Sequence, residues 1–287
     1  MRRILKWLGI GVATIAAVAL VAVLYLFVAS QRIIARTYPI PPSSFDAPSD
    51  STSVRKGARL ATIYGCNNCH GQDMAGTVLF DEPGIARISA PNLTAIVKDY
   101  TDGELERLVR RGVKRDGTST WIMPSQMFAH LTDADLGAII AYVRSVPQRA
   151  GVARETSIRP LGRIGILTGQ FKPVATEIPA APLRTDADNS DPLAHGKYLV
   201  MTACTECHGA NLEGSDFLQA PNLLAAAAYT NDDFFRLMRT GVGIGNRNLG
   251  LMTEVAAARF AAFTDDEVAA VRTYLDAFAR QGGTSLP

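Results

Sequence analysis

Negative charge is absent from the start of the chain. No acidic residue occurs among the first 36 positions, and no charged side chain of either sign lies between Trp7 and Ser30. This excludes a solvated globular surface over that stretch. As a helix it would reach about 36 Å, enough for a bilayer core of about 30 Å. Cysteine is scarce as well: four in 287 residues, all in two close pairs. Structural disulfides would suit an exported chain, but pairs so close enclose tiny loops and make poor staples, which weighs against a disulfide framework. Strand-like alternation is hard to find, and no general base, nucleophile or phosphate loop stands out, so no hydrolytic or nucleotide chemistry is legible.

What is present suits a folded protein with membrane content: 47% of residues are hydrophobic and 20% charged. The length suits two domains. Arg2, Arg3 and Lys6 precede the apolar run, and the positive-inside tendency keeps that end cytoplasmic, against the weaker pull of Arg32 and Arg36. A cleaved signal has a shorter apolar region of about 7 to 15 residues, and Val28-Ala29-Ser30 only weakly resembles a cleavage site. A retained anchor over residues 1–36 is therefore expected, with the remainder exported. The formal charge of +2 hides a remainder with 24 basic against 27 acidic residues, and such a balance excludes the basic face of a nucleic-acid partner.

The cysteines stand as Cys66-Asn67-Asn68-Cys69-His70 and Cys204-Thr205-Glu206-Cys207-His208. C-x-x-C followed at once by His is the attachment signature of a c-type haem: two thiols reach the two vinyl groups and the imidazole falls under the iron. A thioredoxin-like dithiol needs neither the His nor two copies. A zinc site from all four thiolates would have halves 138 positions apart, unlike the compact pairs of zinc ribbons.

The duplication extends further. Gly57-x-x-Leu60 and Gly196-x-x-Leu199 precede the motifs; Ala90-Pro91-Asn92-Leu93 and Ala220-Pro221-Asn222-Leu223 follow them, then Arg111-Gly112-Val113 and Thr240-Gly241-Val242. Four helices are predicted to start at Thr101, Thr132, Thr230 and Thr264, each with an acid three residues on. Further amphipathic helices lead into the haem motifs. The fold class expected is all-α: two tandem small helical domains, 54–147 and 192–287. Residues 37–53, rich in proline and serine, read as a tether, and 148–191 as a connector whose apolar patch Leu161 to Leu167 suggests packing, with flexible linker the competing view.

A thioether would complete each iron as the His/Met pair common in electron carriers. The offset of 129 that aligns Gly112 with Gly241 also carries Met123 to Met252, whereas Met127 falls on Ala256. Met123 and Met252 are thus the candidate ligands, with Met127 the fallback. His130 and His195 sit at non-equivalent places and are read as solvated or capping. Pro91 and Pro221 could each present a carbonyl to the ring nitrogen of His70 or His208 that faces away from iron; simple turn punctuation has equal weight.

The residues that carry a family resemblance are Cys66, Cys69, His70, APNLT, and Met123 before LTDADL; then CTECH, APNLL, and Met252 before FTDDEV. Over about 54–147 and 192–280 the chain resembles class I cytochrome c domains, and as a whole it looks like the membrane-anchored dihaem cytochromes of bacterial respiratory chains. The resemblance implies two covalent haem c groups, about three main helices per domain, and single-electron transfer in a respiratory or dehydrogenase-linked chain without turnover of its own. It implies redox-protein partners or a dehydrogenase catalytic subunit, and haem domains in the periplasm of a bacterial inner membrane. The alternatives are a dihaem peroxidase or oxidase, and a cytochrome subunit that works only within a membrane-bound dehydrogenase complex. His70 to Pro91 spans 21 positions and His208 to Pro221 spans 13, which predicts an extra loop over 72–89. Three extra residues follow Met252.

Overall fold

The computed structural model describes residues 2–153, 155–179 and 188–283. Helix α1 (Arg2–Ile34) is followed by α2 (Ser51–Ile63), α3 (Cys66–His70), strands β1 (Thr77–Glu82) and β2 (Ala86–Ala90), α4 (Leu93–Ile96), α5 (Asp102–Arg111), α6 (Ser125–Phe128) and α7 (Asp133–Ser145). The connector contributes β3 (Thr156–Ile158) and α8 (Pro160–Leu167). The second domain holds α9 (Pro192–Ala203), α10 (Thr205–His208), α11 (Asn231–Thr240), α12 (Leu251–Ala258) and α13 (Asp265–Arg280).

The helix starts form where side chains can satisfy the first free amides. Thr101, Thr132, Thr230 and Thr264 each accept a hydrogen bond from the amide of the acid three residues on. Glu104 and Glu267 return the bond, completing two capping boxes.

In each domain the helix leading into the haem motif lies against the last helix, α2 on α7 and α9 on α13. The repeated glycine marks the crossing. A Cβ on Gly57 would stand 1.8 Å from the Ala138 carbonyl oxygen, and one on Gly196 2.0 Å from that of Ala270. Only a glycine lets the backbones meet this closely. Gly57→Ala is therefore expected to prise α2 from α7 and cost about 1–3 kcal/mol, as overpacking does, measured as a lowered melting temperature; an unchanged one would refute the crossing.

The all-helical expectation holds for both domain frames, with one small sheet added. The loop expected over 72–89 is instead largely a β-hairpin: Thr77 pairs with Ala90 and Glu82 with Ala86, with an irregularity between Val78 and Phe80. β3 adds antiparallel to β2, pairing Ala86 with Ile158. The turn Pro83-Gly84 between Thr77-Val78-Leu79-Phe80 and the isoleucines Ile85 and Ile88 was the local signal for it. A second cluster gathers on this sheet, formed by Ala86, Ile88, Trp121, Ile158 and Ile166, with Ile33 and Ile34 of α1 packed against it.

Residues 40–47 and the described part of the connector up to residue 179 lie on the first domain. Arg107 donates to the Ile40 carbonyl at 3.0 Å, and the Ala47 amide to Asp102 at 2.8 Å, so the stretch 40–47 follows the surface of α5. In the connector, the Val152 amide donates to the Ala75 carbonyl at 2.8 Å and the Val174 amide to that of Thr120 at 3.1 Å. Packing, not free linkage, describes residues 148–153 and 155–179; residues 180–187 lie outside those described.

The two domains share one hydrophobic core, in which Leu60, Ile63 and Leu136 join Leu199, Val271 and Phe278. Their interface has an approximate two-fold pattern. Arg59, two residues after Gly57, makes a bidentate pair with Glu267 at 2.7 and 2.9 Å. Tyr198, two residues after Gly196, donates to Asp135. In both directions the partner is the acid at the third residue of the other domain's last helix.

Candidate functional site

Each haem motif is a single helical turn, α3 or α10, entered from the long helix before it. Cysteines three positions apart on such a turn lie on one face. Gly65 turns the chain into α3 with a left-handed φ of 74°, and Gly71 and Gly209 lead it away with φ of 81° and 76°. The four cysteines form no disulfides.

His70 Nδ1 lies 2.9 Å from the Pro91 carbonyl oxygen, and His208 Nδ1 2.7 Å from that of Pro221. A carbonyl can only accept, so Nδ1 must carry the proton and Nε2 is left with a free lone pair. Of the two readings of these prolines, carbonyl presentation is the one the geometry supports. Burial holds both imidazoles below the ordinary histidine range, against the upward pull of the proline carbonyls, so each ring is neutral and fit to bind a metal.

The following Asn92 and Asn222 stand at the starts of the next helical turns, and Asn222 accepts the Leu224 amide at 2.8 Å. Two residues missed in the sequence make this geometry possible. Gly76 and Gly214 have φ of 86° and 97°, and their amides donate to the His70 and His208 carbonyls at 2.7 and 2.8 Å. A Cβ on either would lie 2.8 Å from the carbonyl carbon of Pro91 or Pro221. The signal was available, because the offset of 138 that joins the motifs also joins these glycines. Met74 and Leu212 share that offset; both are fully buried with left-handed φ.

Met123 precedes α6 and Met252 lies in the first turn of α12, each half-buried against the core. Met127 is fully buried, as is its counterpart Ala256. Met238 is buried in α11. The three extra residues after Met252 lengthen α12 relative to α6 and lead into a short turn at Phe260–Ala262.

Between the motifs lies Arg259, whose side chain is 6% exposed. Its Nε donates to the Ile63 carbonyl of the first domain at 2.9 Å, and Nη1 to Glu206 of the second motif at 3.1 Å. Burial pushes the Cys66 and Cys204 thiols up to about 12 and raises Cys69 and Cys207; the positive charge of Arg259 pulls all four back. One buried guanidinium thus acts on both motifs. It was not legible from the sequence, where nothing separates it from other surface-type arginines.

The donor set fits a haem at each motif: two thiols on one face of a turn and an imidazole whose outward nitrogen is pinned, leaving the other free. It does not fit a cage of protein ligands, since among the described residues no three His, Cys, Asp or Glu converge on a metal position.

The family described as Cytochrome c matches residues 54–147 and 193–278. The fructose dehydrogenase cytochrome subunit of Gluconobacter japonicus is 26% identical over 84% of this chain and 55% of its own length. The alcohol dehydrogenase (quinone) cytochrome c subunit of Gluconacetobacter polyoxogenes is 29% identical over 79% and 56%, and the gluconate 2-dehydrogenase cytochrome c subunit of Pantoea cypripedii 28% over 80% and 60%. The chain spans somewhat more than half the length of these relatives.

Proposed function

From the premise that this chain belongs to the cytochrome c family, we propose that it is a dihaem electron carrier, held in a bacterial inner membrane by α1 with both haem domains in the periplasm. The observation that carries the reading is the repeated pinning of His70 and His208 by a proline carbonyl. Bound haem would supply one-electron iron chemistry. The chain's residues do the rest: Cys66 with Cys69, and Cys204 with Cys207, would hold a macrocycle by thioethers, and His70 and His208 would present Nε2 to the iron. The shared core excludes water, and Arg259 sets a fixed positive charge beside both motifs. The intact mass of the mature chain should read two macrocycles above the bare polypeptide; an unmodified mass from cells competent in cytochrome maturation would overturn the reading.

Retention of α1 is supported by how it is built into the fold. Ser30 is fully buried and accepts a hydrogen bond from Arg163 at 2.8 Å, and Ile33 and Ile34 pack on the sheet cluster. A cleaved leader has no use for such contacts. Arg2, Arg3 and Lys6 favour the cytoplasm for the first residues of α1, which leaves the domains outside.

The relatives are cytochrome subunits of dehydrogenases, and on that basis the donor proposed is a dehydrogenase catalytic subunit. Co-purification with such a subunit under native conditions tests this. For the sixth ligands we propose Met123 and Met252. Replacing Met252 by alanine is expected to lower the potential of one haem only and to convert its optical spectrum towards a high-spin form. Met127→Ala should leave both spectra unchanged; the opposite outcome would transfer the role.

A further inference from the structure

Helix α8 has two unlike sides. Gly162 and Ile166 are buried: a Cβ on Gly162 would stand 2.2 Å from the Ile85 carbonyl oxygen, and Ile166 belongs to the sheet cluster. On the other side Leu161 is 58% and Ile164 47% exposed, beside Ile85 at 41% in the hairpin turn. The Leu161 amide donates to the Gly84 carbonyl at 2.8 Å, which holds this corner against the turn. Three large aliphatic side chains thus face outward from a helix that nothing in the fold requires to be apolar there.

Their level relative to α1 is fixed. α8 packs along α1, and Arg163 ties the two together: it donates to Ser30 at 2.8 Å and to Gln31 at 3.2 Å, and its guanidinium lies 4.5 Å from the centre of the Phe27 ring. A bilayer core takes about 20 helical residues, which Trp7 to Leu26 supply without a charge. Phe27 to Gln31 then stand where hydrocarbon gives way to headgroups, and Arg32 and Arg36 just beyond, at the depth that suits cations. Arg163 therefore holds α8 at the membrane surface, with Leu161 and Ile164 at the depth reached by the apolar face of an interfacial helix.

We infer that α8 is a second membrane contact, with Leu161, Ile164 and Ile85 seated in the lipid surface beside α1. The occupant is lipid because the patch continues the lipid-facing surface of the span at the same depth. Two points of attachment fix the first domain relative to the bilayer instead of letting it swing on one helix. The inference rests on the reading of α1 as a retained span, and the test separates the two.

The full haem-loaded chain is reconstituted in phosphatidylcholine–phosphatidylglycerol vesicles containing a phosphatidylcholine with a diazirine on its acyl chain. After illumination, lipid adducts are mapped by peptide mass spectrometry. Adducts are expected on α1 and on residues 160–167. The double variant Leu161→Glu with Ile164→Glu should lose those on 160–167 on the order of tenfold, since charge is strongly disfavoured in hydrocarbon, while keeping those on α1. Both side chains face outward, so its melting temperature should stay at the wild-type value. Adducts on α1 alone would overturn the inference and leave the anchor standing; adducts on neither would overturn the anchor. Adducts on 160–167 that vanish when a dehydrogenase subunit is bound would assign the face to protein and equally overturn it.

Discussion

Replacing Cys66 and Cys69 together by alanine is expected to halve the covalent haem carried by the chain. Haem stain on a denaturing gel and the intact mass both read it, because thioethers survive unfolding. The Cys204/Cys207 pair should behave alike, and the fourfold variant should carry none. Stain that persists undiminished in either double variant would show that its motif holds no haem. The effect should reach beyond the altered domain. A domain of about 90 residues buries only a modest core, so a missing macrocycle leaves its apolar lining without partners. The buried residues of the two domains form one cluster, so the loss in the first domain should also lower the melting temperature of the second. Single replacements are expected to be milder, since one thioether and the histidine remain.

Arg259→Met is the second change with a large expected effect. The guanidinium is buried, spans both domains, and meets the Ile63 carbonyl and Glu206. Removing one partner of a buried charged pair costs about 3–5 kcal/mol. Glu206 is 33% exposed and can regain water, which places the loss near about 3 kcal/mol, read by thermal unfolding. The same variant removes a positive charge beside all four cysteines. Oxidised haem carries more positive charge than reduced, so the wild-type guanidinium favours reduction at both motifs. Potentiometric titration should find both midpoint potentials lowered. Arg259→Lys, which keeps the charge but not the forked geometry, should recover the potentials more fully than the stability. A variant with altered stability and unmoved potentials would reduce Arg259 to a structural tie.

The attachment motifs were legible because the chemistry confines them to five consecutive residues, and the repeat made them legible twice. The four threonine starts were legible for a similar reason: a cap is a contact between residues three apart. Gly57 and Gly196 appeared only as landmarks, since the carbonyls they admit, at Ala138 and Ala270, lie 81 and 74 positions along the chain. The hairpin passed for a loop because its strands are short and neither alternates: β1 is only partly buried, and β2 is buried at four of its five positions.

Short-range chemistry, then, is what the sequence by itself determined about this protein: the two haem motifs, the equivalence of Met123 with Met252, the apolar span and the helix starts. Each is a pattern of near neighbours or a repeat at constant offset. Only the tertiary structure decided that Pro91 and Pro221 face the histidines, that α8 stands level with the end of α1, and that Arg259 lies between the motifs. Those depend on backbones and charges brought together from distant positions, where a buried guanidinium and an exposed one are written with the same letter.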